Sequence, residues 1–228
     1  MDKFLELRKS IIQITQALSA RGFFGTEFGT AGNVSARFEK EELVGVTPSS
    51  HAYQDLKPED ICIIDFDQNL VSGERVPSLE ASMHLSVYRN RPEVGAVIHT
   101  HQHYASVLSV INEPIPPLFD EVSLFLGDPI EVVPYGMSGS PELMANVTAA
   151  VGNGCNGYIL QNHGALCLGQ TLEEAVTNAE LLEKTAKVYY HALCTGKEIA
   201  LLPPEILDLF QELRKAKAHD LSPAKREK

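Results

Sequence analysis

His99-Thr100-His101 continues the apolar run Val94-Gly95-Ala96-Val97-Ile98, and Asn162-His163-Gly164 continues Gly157-Tyr158-Ile159-Leu160. Side chains two apart on a strand leave the same face, with Cα atoms about 6.5 Å apart, so His99 and His101 can turn their rings toward one ion. Imidazole suits zinc, iron, copper or nickel, and catalytic zinc sites often join histidines to a carboxylate or an open water position. Unpaired imidazoles at the end of a buried strand would otherwise be costly, because buried polar groups need partners. His163 is read equally well, on local grounds, as the middle of an ordinary turn between strands. The carboxylate that suggests itself is Glu80, in Val76-Pro77-Ser78-Leu79-Glu80-Ala81-Ser82-Met83-His84. Ser78 is expected to cap a helix there, leaving Glu80 in its first turn.

The whole chain sets limits on what surrounds these residues. Its 228 residues, 44% hydrophobic and 21% charged, suit one sizeable globular domain or two small ones, and a single domain over 1–217 followed by a polar tail over 218–228 is the expectation. A net charge of −11 argues against nucleic-acid binding, which relies on Lys and Arg to neutralise phosphates. No apolar stretch reaches the roughly 18 residues of a membrane span. Cys62, Cys155, Cys167 and Cys194 lack paired metal-ligand spacing, and no signal peptide is recognisable. Free thiols in the cytoplasm are the expectation.

Phe4, Leu7, Ile11, Ile14 and Leu18 recur at helical spacing and predict an amphipathic helix ending near Arg21-Gly22. Strands follow at Val34–Phe38, Leu43–Pro48 and Ile61–Asp65, then a helix from about Ser78 to Arg89 and the histidine-bearing strand. His103–Ile111 reads as helix, Ile130–Tyr135 as strand, and Pro141–Val151 as helix capped by Ser140. Gly157–Gly169 reads as two strands around His163, with helices expected over Leu172–Cys194 and near Pro204–Lys217. Strands and helices mixed without strict alternation suggest an α/β or α+β sheet domain covered by helices.

Taken in order, Gly29-Thr30-Ala31-Gly32-Asn33-Val34-Ser35-Ala36-Arg37, Thr47-Pro48-Ser49-Ser50, Pro77-Ser78-Leu79-Glu80, His99-Thr100-His101 and Asn162-His163-Gly164 resemble the class II aldolase/adducin family. The likeness runs from the first helix to about Leu202. It implies a three-layer α/β/α fold with a largely antiparallel central sheet, assembled as a homotetramer with active sites between subunits. It also implies one divalent ion on His99, His101 and His163, with Glu80 as ligand or acid/base: Zn2+ first, with Mn2+, Fe2+ and Co2+ as alternatives. Thr30, Gly32, Asn33, Ser49, Ser50 and Ser78 are then expected to bind the substrate's phosphate. Without the resemblance, the glycine-rich segment reads as a tight turn in which Asn33 satisfies the backbone.

The chemistry implied is aldol cleavage or formation in a small hydroxy-carbonyl compound, a sugar phosphate in the family pattern. A divalent cation would stabilise the enediolate, and Glu80 would move the proton. No Schiff-base lysine is required. Epimerisation, dehydration and decarboxylation use the same logic, while an adducin-like interaction domain and an iron oxygenase are readings from other classes. Three positions depart from the family pattern. Leu79 replaces a serine, Ser50 stands where glycine is usual, and the proton-donating tyrosine is missing near Asp120. Asp120 and Glu121 are equally read as an acid reaching across a subunit boundary or as solvated loop carboxylates.

Overall fold

In the computed structural model, residues 2–26, 30–38 and 41–220 are described. Gly29, which opens the glycine-rich motif, and the end of the tail, 221–228, lie outside them. In chain order the described residues form α1 (Leu5–Ala20), β1 (Gly32–Phe38), β2 (Leu43–Val46), β3 (Cys62–Asp65), β4 (Leu70–Ser72), α2 (Ala81–Asn90), β5 (Ala96–Thr100) and α3 (His103–Ile111). Then come α4 (Asp120–Phe125), β6 (Val132–Val133), α5 (Pro141–Val151), β7 (Gly157–Leu160), β8 (Gly164–Gly169), α6 (Leu172–Cys194) and α7 (Pro204–Asp220). The strands make one sheet in the order β4-β3-β2-β1-β5-β8-β7-β6. Every pairing is antiparallel except β6 with β7.

Strand periodicity decides which side chains meet which helices. Val34 and Ala36 of β1, with Ala96 and Ile98 of β5, face a core shared with Ile11 and Leu18 of α1, Leu108 of α3 and Ala179 and Leu182 of α6. Val97, Leu166 and Leu168 face the opposite way, into a core with Met83 and Val87 of α2 and Leu143 and Val147 of α5. Two separate cores on one sheet make the three-layer α/β/α arrangement that the resemblance implies.

Elements with a long periodic signal fall where the sequence puts them. α5 opens on Ser140, whose hydroxyl accepts from Leu143 N–H at 3.1 Å, with Pro141 next. α6 opens on Thr171, which accepts from Glu174 N–H at 3.2 Å. Four readings change. The three-residue edge strand β4 and the six-residue helix α4 are too short to carry a period. The strand expected over Ile130–Tyr135 shrinks to β6, since Pro134 has no N–H to give a ladder. Ser78 is not the helix cap: α2 starts at Ala81 with Glu80 in the cap position, and Ser78 Oγ accepts from Glu80 N–H at 3.3 Å.

Two glycines let the histidine-bearing strand end where it does. Gly32 lies opposite Thr100 with φ +102°, and a Cβ there would stand 2.5 Å from the His99 carbonyl oxygen. At Gly164 a Cβ would stand 2.1 Å from the Thr100 carbonyl oxygen. Both the conformation and the space at Gly32 exclude a side chain. Gly32→Ala is therefore expected to cost about 2–3 kcal/mol of folding stability, read as a lower urea midpoint at unchanged slope. A midpoint equal to the wild type's would contradict this placement.

Candidate active site

β1 and β5 pair in a register that sets Asn33 beside His99, and both side chains emerge on the face covered by α2. That helix begins at their level, so Glu80 at its N-terminus reaches the same point. Asn33 Nδ2 donates to Glu80 Oε2 at 2.9 Å, and His99 Nε2 lies 3.3 Å from the same oxygen. β7 and β8 form a hairpin closed by Gln161-Asn162-His163, with Asn162 at φ +54°. The turn presents His163 Nε2 at 3.3 Å from Glu80 Oε1. His101 lies one residue beyond β5, held by its N–H to the Phe23 carbonyl, and its Nε2 stands 3.1 Å from His99 Nε2.

His99 is fully buried, and its Nδ1–H donates to the Ala165 carbonyl at 2.9 Å. That bond assigns the ring proton to Nδ1 and leaves the Nε2 lone pair facing its neighbours. Burial, reinforced by His99, depresses His101 to about 3 and His163 to about 4. For Glu80, burial pushes upward, but His99 and His163, with the hydrogen bonds from Asn33 and Ser138, outweigh it and hold the carboxyl at about 2. At neutral pH His101 and His163 therefore present neutral imidazoles and Glu80 an ionised carboxylate, the forms in which these groups bind metals.

The ligand atoms of His99, His101 and His163 all lie within 4.8 Å of one another, close enough to hold one metal ion. Tetrahedral ligands at zinc–nitrogen distances sit about 3.3–3.4 Å apart, and the 3.1 Å and 3.3 Å separations here match that scale. The donor set fits a divalent transition metal. His99 also has the backbone partner that commonly orients a ligating imidazole.

A cavity of about 180 Å³ adjoins the cluster, lined by His101, His163 and Glu80. All six residues expected at the substrate, Thr30, Gly32, Asn33, Ser49, Ser50 and Ser78, line it as well. Among the described residues no lysine or arginine lines it, so hydroxyls and backbone groups are the donors they offer. Ser50 sits at φ +52°, a left-handed position that favours glycine. Leu79 is exposed at the mouth against Gly139. Ser138, which the sequence reading passed over, also lines the cavity, and its hydroxyl donates to Glu80 Oε1 at 3.0 Å. Its signal in the sequence is slight: one hydroxyl in the turn Gly136-Met137-Ser138-Gly139.

The model of the family described as Class II Aldolase and Adducin N-terminal domain matches residues 9–190. The chain belongs to the class II aldolase/adducin family. It is 36% identical over 181 residues to the L-fuculose phosphate aldolase of Haemophilus influenzae, covering 79% of this chain and 82% of the relative. The 3-oxo-tetronate 4-phosphate decarboxylase of the same organism is 31% identical, covering 90% of this chain and 96% of the relative. Among solved structures, an L-fuculose 1-phosphate aldolase superposes with a TM-score of 0.84 at 33% identity, covering 93% of this chain and 96% of that one.

Within this class II aldolase domain the acids that could replace the missing tyrosine stand apart from the cavity. Asp120 and Glu121 begin α4, so they are helical rather than in a loop, and both are exposed. Glu121 is paired with Lys184, and neither residue lines the cavity. His103 is exposed beside Tyr104 at the start of α3, and Tyr190 is exposed in part on α6. His84 is buried one turn beyond Glu80, with Nδ1 2.7 Å from Ser35 Oγ, and burial depresses it to about 3. No helix among the described residues is long and apolar enough to cross a membrane.

Three depressed histidines make the metal-free chain acid-sensitive. Between pH 6.5 and 4 the unfolded chain takes up protons on His84, His101 and His163 that the folded chain refuses, so stability falls as pH falls. Part exposure of two of the rings moderates the effect to a few kcal/mol between pH 7 and pH 5. Urea midpoints measured in chelator should drop accordingly across that interval. Equal midpoints at the two values would contradict the buried, neutral placement of these rings.

Proposed function

We propose that this class II aldolase family member is a divalent-metal-dependent lyase that breaks or forms a carbon–carbon bond in a small phosphorylated hydroxy-carbonyl compound. The observation carrying the reading is the convergence of three imidazoles and one ionised carboxylate on a cavity rimmed with hydroxyls. His99, His101 and His163 would hold the ion, with Glu80 as a further ligand; Zn2+ is the first candidate and Mn2+, Fe2+ and Co2+ the alternatives. When bound, the ion supplies Lewis-acid stabilisation for the negative charge that develops on the substrate's oxygens. Glu80 removes and returns the proton on the carbon beside the carbonyl, with Asn33 keeping one carboxylate oxygen in place. Thr30, Ser49, Ser50 and Ser78, with the backbone at Gly32, receive the phosphate.

The same residues could serve a decarboxylase, as the 3-oxo-tetronate relative illustrates, and products separate the readings. Purified protein offered ketose 1-phosphates is expected to release dihydroxyacetone phosphate and an aldehyde. A product that keeps every carbon, or loss of carbon dioxide alone, would replace aldol cleavage with epimerisation, dehydration or decarboxylation. Oxygen consumption dependent on Fe(II) would favour an oxygenase. A chain binding far less than one ion would favour an adducin-like interaction role.

The active unit is proposed to be a cytoplasmic homotetramer of single-domain chains over 1–217, with sites between subunits. Leu79 at the cavity mouth and Met137 next to Ser138, both about two-thirds exposed, supply apolar surface for a second copy, as do the exposed Val76 and Tyr135. Of the two acids on α4, Asp120 is the proposed proton donor from that copy, since Glu121 is engaged by Lys184. Mixed oligomers of Glu80→Gln and Asp120→Asn chains, each inactive alone, should recover about a quarter of wild-type activity, because one site in four then has both acids. Recovery of nothing would place the donor elsewhere.

A further inference from the structure

The turn after β6 is braced from several directions. Asn146 Nδ2 donates to the Pro134 and Tyr135 carbonyls at 3.2 Å, and Tyr135 N–H donates to Gln161 Oε1 at 2.9 Å, tying this turn to the one that carries His163. Ser140 N–H closes back on the Met137 carbonyl at 2.8 Å, and Gly136 packs so closely on Leu143 that a Cβ would stand 2.5 Å from its backbone nitrogen. Ser138 is the residue this bracing delivers to the site. Its Oγ lies 3.0 Å from Glu80 Oε1 and 3.2 Å from His163 Nε2.

We infer that Ser138 is a positioning residue for Glu80, holding the carboxylate in a cradle that competes with the metal ion for it. A serine hydroxyl has one proton. Given to Glu80 Oε1, it complements the Asn33 amide on Oε2, so both oxygens are held by neutral donors from opposite sides. The contact with His163 Nε2 has to be the weaker commitment, because that nitrogen's lone pair is needed for the ion. Each hydrogen bond occupies a carboxylate lone pair that the ion would otherwise take. The cradle thereby keeps Glu80 aimed at the cavity and available as a base. This role rests on the proposed function for its catalytic half and on geometry alone for its metal-binding half.

Co2+ affinity, measured by chelator competition on the full chain, tests the second half without any substrate. Ser138→Ala should bind Co2+ about tenfold more tightly, since removing a hydrogen bond to a charged group frees Oε1 for the ion. The same substitution in a Glu80→Gln background should change Co2+ affinity less than about twofold, because its effect passes through the carboxylate. With a cleavable substrate, Ser138→Ala should lose about 10–100-fold in kcat with KM within about threefold, and Ser138→Thr should restore both kcat and Co2+ affinity. Weakened or unchanged Co2+ binding in Ser138→Ala would overturn the inference, as would an equal effect in the Glu80→Gln background. If no ketose phosphate is cleaved by the wild type, the function proposed above falls, while the Co2+ measurements still decide the role of Ser138.

Discussion

Replacing His99 with alanine is expected to remove the bound metal and, with it, essentially all turnover, a loss of at least about a thousandfold. His99 is the best-anchored member of the cluster: fully buried, fixed by its Nδ1–H to the Ala165 carbonyl, and central to the other groups. Its Nε2 lies 3.1 Å from that of His101 and 3.3 Å from Glu80 Oε2, so no other side chain can replace its nitrogen without moving β5. The measurement is metal content per chain after purification, alongside aldol cleavage. The alanine chain should still fold, because His99 belongs to neither apolar core. Full metal content in the variant would show that the ion is held elsewhere.

Glu80→Gln separates chemistry from metal binding. The amide has the carboxylate's shape: its oxygen can accept from Asn33 Nδ2, and its NH2 can donate to Ser138 Oγ, which then turns its own proton away. The three imidazoles are untouched. Metal content should therefore be largely retained, while kcat falls by about 100- to 10,000-fold, the range associated with loss of a positioned general base. The neutral amide cannot take up the substrate's proton. Wild-type turnover in this variant would remove Glu80 from the mechanism. Loss of the metal would instead make it chiefly a ligand.

His99 and His101 were legible because a period of two on an apolar run puts neighbouring polar rings on one face, and that logic needs no partner strand. His163 needed the hairpin to bring it across, and the resemblance favoured it where the local reading was evenly divided. Glu80 stands with the histidines but in a different placement from the expected one: it occupies the cap position itself, and Ser78 serves its N–H rather than the helix. Asn33 lines the cavity as expected, but its amide is spent on Glu80. Ser138 was hard to read, since 58 residues separate it from Glu80 and the packing of α5 against α2 brings them together.

The fold divides along the same line. α1, α5 and α6 carry enough apolar repeats or caps to declare themselves, and the runs of β5, β7 and β8 are continuous and buried. β4 and α4 are too short to show a repeating pattern and are set by what they pack against. The order in which β5 enters the sheet between β1 and β8 is likewise a tertiary matter. That order sets the site, because it places Asn33 on one side of His99 and the His163 hairpin on the other.

The most direct test is an anomalous difference map from crystals of the protein loaded with Co2+ and collected at the cobalt edge. One peak per chain, about 2.1 Å from the Nε2 atoms of His99, His101 and His163, is the predicted result. No peak there, or a peak away from these three nitrogens in protein that cleaves its substrate, would contradict the account.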